Sequence, residues 1–200
     1  MNRTRLMTFF LAPVGAVTLA SCGINSIPTA EEEVNAQWAN LQSEYQRRAD
    51  LIPNLVETVK GYANQEREVL TEVTSARARA SQIQLTANDL DDPAKVEAFN
   101  NAQNAVGSSL GRLLATFEAY PDLKSNQNFL TLQSQIEGTE NSILVARRDY
   151  NQAVQAYNTR IRTFPDVIGA KVFYGAEPKV PFQASSGAEQ APSVNFGNGA

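Results

Sequence analysis

Apolar residues recur at steps of three and four through most of the chain between residues 30 and 164, which is the periodicity of helices with one buried face. Val34, Trp38, Leu41, Tyr45 and Ile52 form the first stripe, opened by Pro28 and a Thr29/Glu32 pair that reads as a capping box. Pro53 interrupts it, because proline lacks the amide proton and its ring crowds the preceding turn. A second stripe runs from Asn54 to Ile83 through Leu55, Val59, Tyr62, Val69, Val73, Ala76 and Ala80. Leu85 to Asp91 reads as a loop, and Asp92-Pro93 supplies an N-cap and an N1 proline for a third helix. That helix carries Val96, Phe99, Val106, Leu110, Leu113, Phe117 and Tyr120, and Pro121 ends it. Ser125 is placed to cap a fourth helix bearing Phe129, Leu132, Ile136, Ile143, Ala146, Tyr150, Ala153, Tyr157, Ile161 and Phe164, closed by Pro165.

These stripes predict an all-α protein: an elongated antiparallel bundle of four helices, the first two separated at Pro53. The helices would hold roughly 22 to 36 residues, on the order of 33 to 54 Å at 1.5 Å per residue. Should Pro53 only kink the chain, a three-helix array results instead. Beyond Pro165, the apolar stretch Val167 to Tyr174 is expected to dock on one bundle end. Glu177 to Phe182, with Pro178 and Pro181, reads as an extended strap. From Gln183 to Ala200 small and polar residues without periodicity predict a disordered tail.

The N-terminus carries a different signal. Arg3 and Arg5 precede a mostly apolar run from Leu6 to Leu19, too short for a spanning helix at about 20 residues. It ends in Leu19-Ala20-Ser21-Cys22, which resembles the bacterial lipobox. The resemblance implies cleavage between Ser21 and Cys22, a thioether lipid on Cys22 and acylation of the new N-terminus; several chains hold a protein stably where one does not. Gly23, where an Asp would have resembled an inner-membrane retention signal, favours the outer membrane if the organism has two. The resulting division is a signal peptide at 1–21, a tether at 22–29, a helical domain at 30–182 and the tail at 183–200.

Composition narrows the chemistry. The 200 residues include one cysteine and no histidine. This excludes Ser-His-Asp and Cys-His nucleophilic sites, His-bearing zinc sites and Glu-x-x-His di-iron sites. A net charge of −4 argues against nucleic acid as the main partner.

The run Arg47-Arg48-Ala49-Asp50-Leu51-Ile52-Pro53-Asn54-Leu55-Val56-Glu57-Thr58-Val59-Lys60-Gly61-Tyr62 resembles the signature of the LemA family. So do Glu118-Ala119-Tyr120-Pro121-Asp122-Leu123-Lys124, and Glu137-Gly138-Thr139-Glu140-Asn141 continuing to Ala146-Arg147-Arg148-Asp149-Tyr150-Asn151. Tyr157-Asn158-Thr159-Arg160-Ile161 with Phe164-Pro165 completes the pattern, from about Glu31 to Phe182. The resemblance implies a membrane-attached bacterial protein with an exported helical domain, and no enzymatic activity or cofactor to carry over. Members of the family often begin with an uncleaved transmembrane helix, from which the lipobox departs.

Several polar residues fall on or near the stripes. Continuing the heptads places Arg48, Glu66, Gln103 and Thr139 near core positions, either lining a polar chamber or specifying helix register. The carboxylates Glu57, Glu66, Glu118, Glu137 and Glu140 would matter for acid–base or divalent-cation chemistry only if gathered and buried. Arg47, Arg48, Arg147 and Arg148 are expected to meet the Glu137 to Glu140 stretch or Asp50, as an interhelical ion-pair network or a partner-docking patch. Gly138 inside the last helix suggests a close approach or a bend. The expectation is a non-enzymatic envelope scaffold or adaptor, lipid-anchored at Cys22, without cofactor or metal, and with a protein partner of unknown identity. A ligand- or metal-binding bundle with a carboxylate-lined interior, and a self-assembling structural protein, are the alternatives.

Overall fold

The computed structural model describes residues 25–61 and 66–183. Ser21, Cys22, the start of the tether, Tyr62 and the tail from residue 184 lie outside them. Six helices follow in order: α1 (Ser26–Lys60), α2 (Arg67–Gln82), α3 (Pro93–Phe117), α4 (Pro121–Lys124), α5 (Gln127–Arg160) and α6 (Asp166–Gly169). A 3-10 turn at Ala87–Asp89 precedes α3, and a π turn at Ala170–Tyr174 continues α6. Among the described residues there is no strand, and no helix is long and apolar enough to cross a membrane.

Four helices make an antiparallel bundle, as the stripes predict, but the first boundary is elsewhere. Pro53 lies inside α1, which continues to Lys60 and is capped by Gly61. A proline at position 53 leaves the carbonyl of Ala49 without its helical donor. Arg77 of α2 supplies one: its Nε donates to Ala49 O at 2.7 Å. Pro53 itself is exposed. The expected second helix is accordingly shorter at its start, beginning at Arg67. Arg77→Met is expected to cost about 1–3 kcal/mol by orphaning that carbonyl, and the loss should shrink when Pro53→Ala restores the amide donor. Urea titration of the two single variants and the double variant measures this coupling, and additive effects would refute it.

Other boundaries moved by smaller amounts. The first helix begins at Ser26 within the expected tether, with Ile27 fully buried. Thr29 donates to Asn25 O rather than forming the expected capping box. Asp92 caps α3 as the sequence predicts, accepting from the amides of Ala94 and Lys95 at 2.9 and 3.3 Å. Asn126, not Ser125, caps α5 by accepting from Asn128 and Phe129, because Pro121 starts the extra turn α4 before the chain can enter α5.

α1 packs along α5 and α2 along α3, with α2 also against α1. At 1.5 Å per residue α1 and α5 are each about 50 Å long. Their antiparallel register is marked by Arg48–Glu140 near the middle and Ser26–Asp166 at one pole, where Ser26 Oγ donates to Asp166 Oδ2 at 2.7 Å. The strap returns along α5, its backbone paired to side-chain amides. Asn158 exchanges two hydrogen bonds with Lys179 (2.7 and 2.9 Å), and Asn151 two with Phe182 (2.9 and 2.8 Å). Seven helical residues rise about 10.5 Å and three extended ones about 10 Å, so the two amides match the strap's pitch.

The core falls into two apolar clusters. One holds Trp38, Tyr45, Phe99, Tyr150, Tyr157 and Phe182 with the aliphatic residues toward the Ser26 pole. The other holds Ile52, Leu55, Val59, Val73, Leu110, Leu113, Phe117, Phe129 and Ile136. Phe164, expected as the last core residue of the fourth stripe, is 81% exposed: helix α5 ends at Arg160, and with it the register.

Candidate functional site

Between the two apolar clusters lies a polar layer built from one turn of each long core helix. Arg48 sits between Tyr45 and Ile52 on α1, Gln103 between Phe99 and Val106 on α3, and Glu140 between Ile136 and Ile143 on α5. Arg48 is only 3% exposed. Its Nη1 donates to Glu140 Oε1 at 2.9 Å, and its Nη2 to the backbone and side-chain oxygens of Gln103 at 3.0 and 2.6 Å. The guanidinium carbon lies 5.3 Å from the Tyr45 ring centroid, a cation–π contact. Gly107 lies beside the pair, where a Cβ would stand in ordinary contact at 3.5 Å from Arg48 Nη1 and about 4 Å from the Glu140 carboxylate. Gly138, expected at a close approach, faces open space instead.

Two turns further along α5 toward the Ser26 pole, Arg147 reaches from α5 to α3. Its Nη2 donates to Asn100 Oδ1 and, at 3.4 Å, to Asn104 Oδ1, while its guanidinium lies 5.3 Å from the Phe182 ring centroid. Trp38 packs edge-on to Phe99 and Tyr150 and stacks on Phe182. Among the described residues, the Trp38 indole nitrogen, the Tyr45 hydroxyl and Arg147 Nε are buried without a protein partner. Burial pushes the Tyr45 hydroxyl above the ordinary tyrosine pKa, although Arg147 and Arg48 pull it back. Burial also raises Tyr150 strongly, and Tyr157 to about 12. All three are therefore neutral hydrogen-bonding groups at physiological pH. An open cleft of about 580 Å³ between α1, α2 and α3 borders the layer, with Trp38, Tyr45, Arg77, Leu85 and Phe99 along its wall.

Of the four residues that the heptads bring inward, Arg48 and Gln103 meet directly and Thr139 is buried beside them, its hydroxyl donating to Gln135 O. Glu66 does not join them. It precedes α2 at the far end of the bundle, where it accepts from the Tyr120 hydroxyl at 3.0 Å. The charged residues divide similarly. Arg48–Glu140 is the interhelical ion pair; Arg47 is exposed on α1, Glu137 accepts from Gln133 within α5, and Arg148 pairs with its neighbour Asp149. Arg147 finds amides rather than a carboxylate, because its turn of α5 faces Asn100 and Asn104. Of the five carboxylates considered for an acidic interior, Glu140 alone enters the layer; Glu57 pairs with Lys60 on the surface and Glu118 is exposed. Where the alternative reading placed a carboxylate lining, the described residues put an arginine and amide lining with one carboxylate.

Sequence reasoning missed Asn100, Asn151 and Asn158. An asparagine in a helix is ordinary on a wet face; the course of the strap gives Asn151 and Asn158 their partners, and Arg147 of α5 gives Asn100 one. The heptad spacing of Asn151 and Asn158 was the available signal.

Comparison with known proteins agrees with the blocks carried by these elements. The profile of the LemA family matches residues 37–196. "Protein LemA" of Metamycoplasma hominis is 28% identical over 157 residues, covering 78% of this chain and 68% of that protein. "Magnetosome protein MamQ 2" of Paramagnetospirillum magneticum is 27% identical over 157 residues, covering 70% of this chain and 58% of that protein. "Magnetosome protein MamQ" of Magnetospirillum gryphiswaldense is 25% identical over 171 residues, covering 78% and 63%. The chain thus spans about two thirds or less of these relatives' length. A match over four fifths of the sequence, on an all-helical bundle whose central arginine lies in the first of the matching blocks, means that the chain belongs to the LemA family.

Proposed function

We propose that this is a membrane-associated protein of the bacterial envelope, anchored through lipid on Cys22, whose exported bundle works as a scaffold or adaptor. One observation carries the reading. The Arg48 guanidinium at the centre of the bundle spends its donors on Glu140 and Gln103, while Leu144 and Val145 stand exposed on the outer side of α5. Such an interior specifies helix register, and such an exterior offers contact surface. The naming of the MamQ relatives as magnetosome proteins supports a structural part of this kind. Gly23 after the cysteine favours the outer membrane where an organism has two.

Cys22→Ser in the full chain is expected to abolish the lipid mass on the N-terminal peptide and move the protein from the detergent to the aqueous phase of a Triton X-114 partition. An unlipidated wild-type peptide would overturn the anchor. Photocrosslinking in cells from positions 144 and 145 tests the scaffold half: one reproducible protein partner is expected, and the absence of any reproducible crosslink would refute it.

A further inference from the structure

Five of the eight large apolar side chains left exposed among the described residues belong to one short segment: Phe164, Ile168, Val172, Phe173 and Tyr174, each between 43% and 81% exposed. The sequence predicts that this stretch docks on the bundle end. Instead it docks by its small residues, Gly169 and Ala170, which are buried, and turns its large ones outward. Ile168 and Val172 are four residues apart on one helical path, hence on one side of it.

The position of this segment is fixed by its two ends. α5 leaves the bundle at Arg160, which donates to Ser26 O at 3.1 Å, and the strap is back beside Asn158 by Lys179. Residues 161–178 therefore make the turn at the pole where α1 begins. Gly175, at φ +55°, permits the reversal that a side chain would strain. Ser26 is bonded to both Arg160 and Asp166, so the apolar turn and the start of α1 are held together.

We propose that this turn is a membrane-contact surface, its aromatic and aliphatic side chains entering the interfacial zone of the lipid bilayer. The inference deepens the anchored-bundle reading and rests on it for its geometry. Cys22 lies four residues before Ser26, at most about 14 Å of extended chain, so a lipid there brings this pole to the bilayer surface. The turn also has the chemistry of an interfacial segment. Within residues 160–174, Arg160, Arg162 and Lys171 are exposed, against a single carboxylate, Asp166, that is engaged with Ser26. Glu177 comes only after the reversal at Gly175, where the strap begins, and the acidic run Glu31 to Glu33 stands the next turn up α1, away from the pole. Phe173 and Tyr174 supply aromatic rings of the kind enriched at headgroup level. Together with the lipid, the contact would hold the bundle's long axis upright rather than leave it swinging on a tether.

The test uses the full lipidated chain in vesicles of phosphatidylethanolamine and phosphatidylglycerol with brominated acyl chains. The indole introduced by Phe173→Trp is expected to lose at least half its emission relative to unbrominated vesicles. Native Trp38, about 18 Å up α1 from Ser26, and the indole introduced by Leu144→Trp on the flank of α5 are expected to keep theirs. Both substituted positions are more than 60% exposed, and unchanged circular dichroism checks the fold. Floating protein with an unquenched indole at position 173 would overturn the inference and leave the anchor standing. A Cys22→Ser chain that still floats and is still quenched would support the contact and overturn the lipid anchor. A Cys22→Ser dimer in vesicle-free solution with a blue-shifted indole at 173 would overturn lipid contact in favour of a second copy of this chain.

Discussion

Glu140→Ala is expected to destabilise the protein by about 3 kcal/mol, because it leaves the Arg48 guanidinium buried between two apolar clusters without its counter-charge. Removing one member of a buried ion pair costs about 3–5 kcal/mol. The lower end applies here, since the two oxygens of Gln103 still accept from Arg48 and the Glu140 side chain is 37% exposed. For a domain of this size such a loss lowers Tm by roughly 6–12 °C. The companion variant decides whether the layer stabilises or specifies. Arg48→Met with Glu140→Gln removes both charges at similar volume, and is expected to restore most of the loss. If it does so while the bundle samples more than one register, seen as broadened amide resonances, the layer is a specificity device. A double variant as damaged as Glu140→Ala would refute the uncompensated charge as the cause.

Phe182→Ala is expected to cost about 3–5 kcal/mol and to free the strap. Phe182 is the strap's aromatic contribution to the cluster and is buried where Val180 is only partly so: its ring lies 5.2 Å from Tyr150 and 6.0 Å from Trp38, and Arg147 packs over it. The four amide bonds from Asn151 and Asn158 fix the strap's register but contribute about 1 kcal/mol each at most. Truncating the ring removes most of the apolar contact that holds the strap down and opens a space beside Trp38. Trp38 is the only tryptophan, so its emission reports directly: a red shift is expected as water reaches the indole. Trypsin should also cut after Lys179, now shielded and paired with Glu31, many times faster. A variant with unchanged emission and unchanged cutting would show that the strap is held by its hydrogen bonds, those from Asn151, Asn158 and Tyr150 and that to Leu90, rather than by the ring.

The exposed apolar turn and the polar layer are two outcomes of one arrangement. α1 and α5 are the longest elements, and their shared register brings Arg48 to Glu140 at mid-length and Ser26 to Arg160 and Asp166 at the pole. A one-turn slip would break both sets of contacts. The Ser26 pole and the interior are therefore coupled through this antiparallel helix pair, although they lie about 30 Å apart at 1.5 Å per residue.

Much of this was legible in the chain. Nearly every apolar position read from the stripes of α1, α3 and α5 is buried, because a period of three to four residues is imposed by a single helix facing its neighbours and needs no knowledge of which neighbours. The Asp92-Pro93 start of α3 was equally clear, since a cap is satisfied by the next two amides along the chain. The polar heptad positions Arg48, Gln103 and Thr139 were visible as exceptions to a pattern.

What could not be read locally is whatever depends on a partner distant in sequence. Pro53 looked like a boundary because its cost is local, whereas its remedy, Arg77, comes from another helix 24 residues later. Phe164 and the 167–174 stretch looked like core because they are apolar, but a period projected past the end of α5 no longer points anywhere. Asn151 and Asn158 looked like surface until the strap lay across them. Local patterning settled which residues belong to helices and which face each helix buries. Which carbonyl is rescued, which arginine is paired and which apolar turn is left in the open were settled by packing between elements, because those energies belong to pairs of residues that only the folded chain brings within a few ångströms.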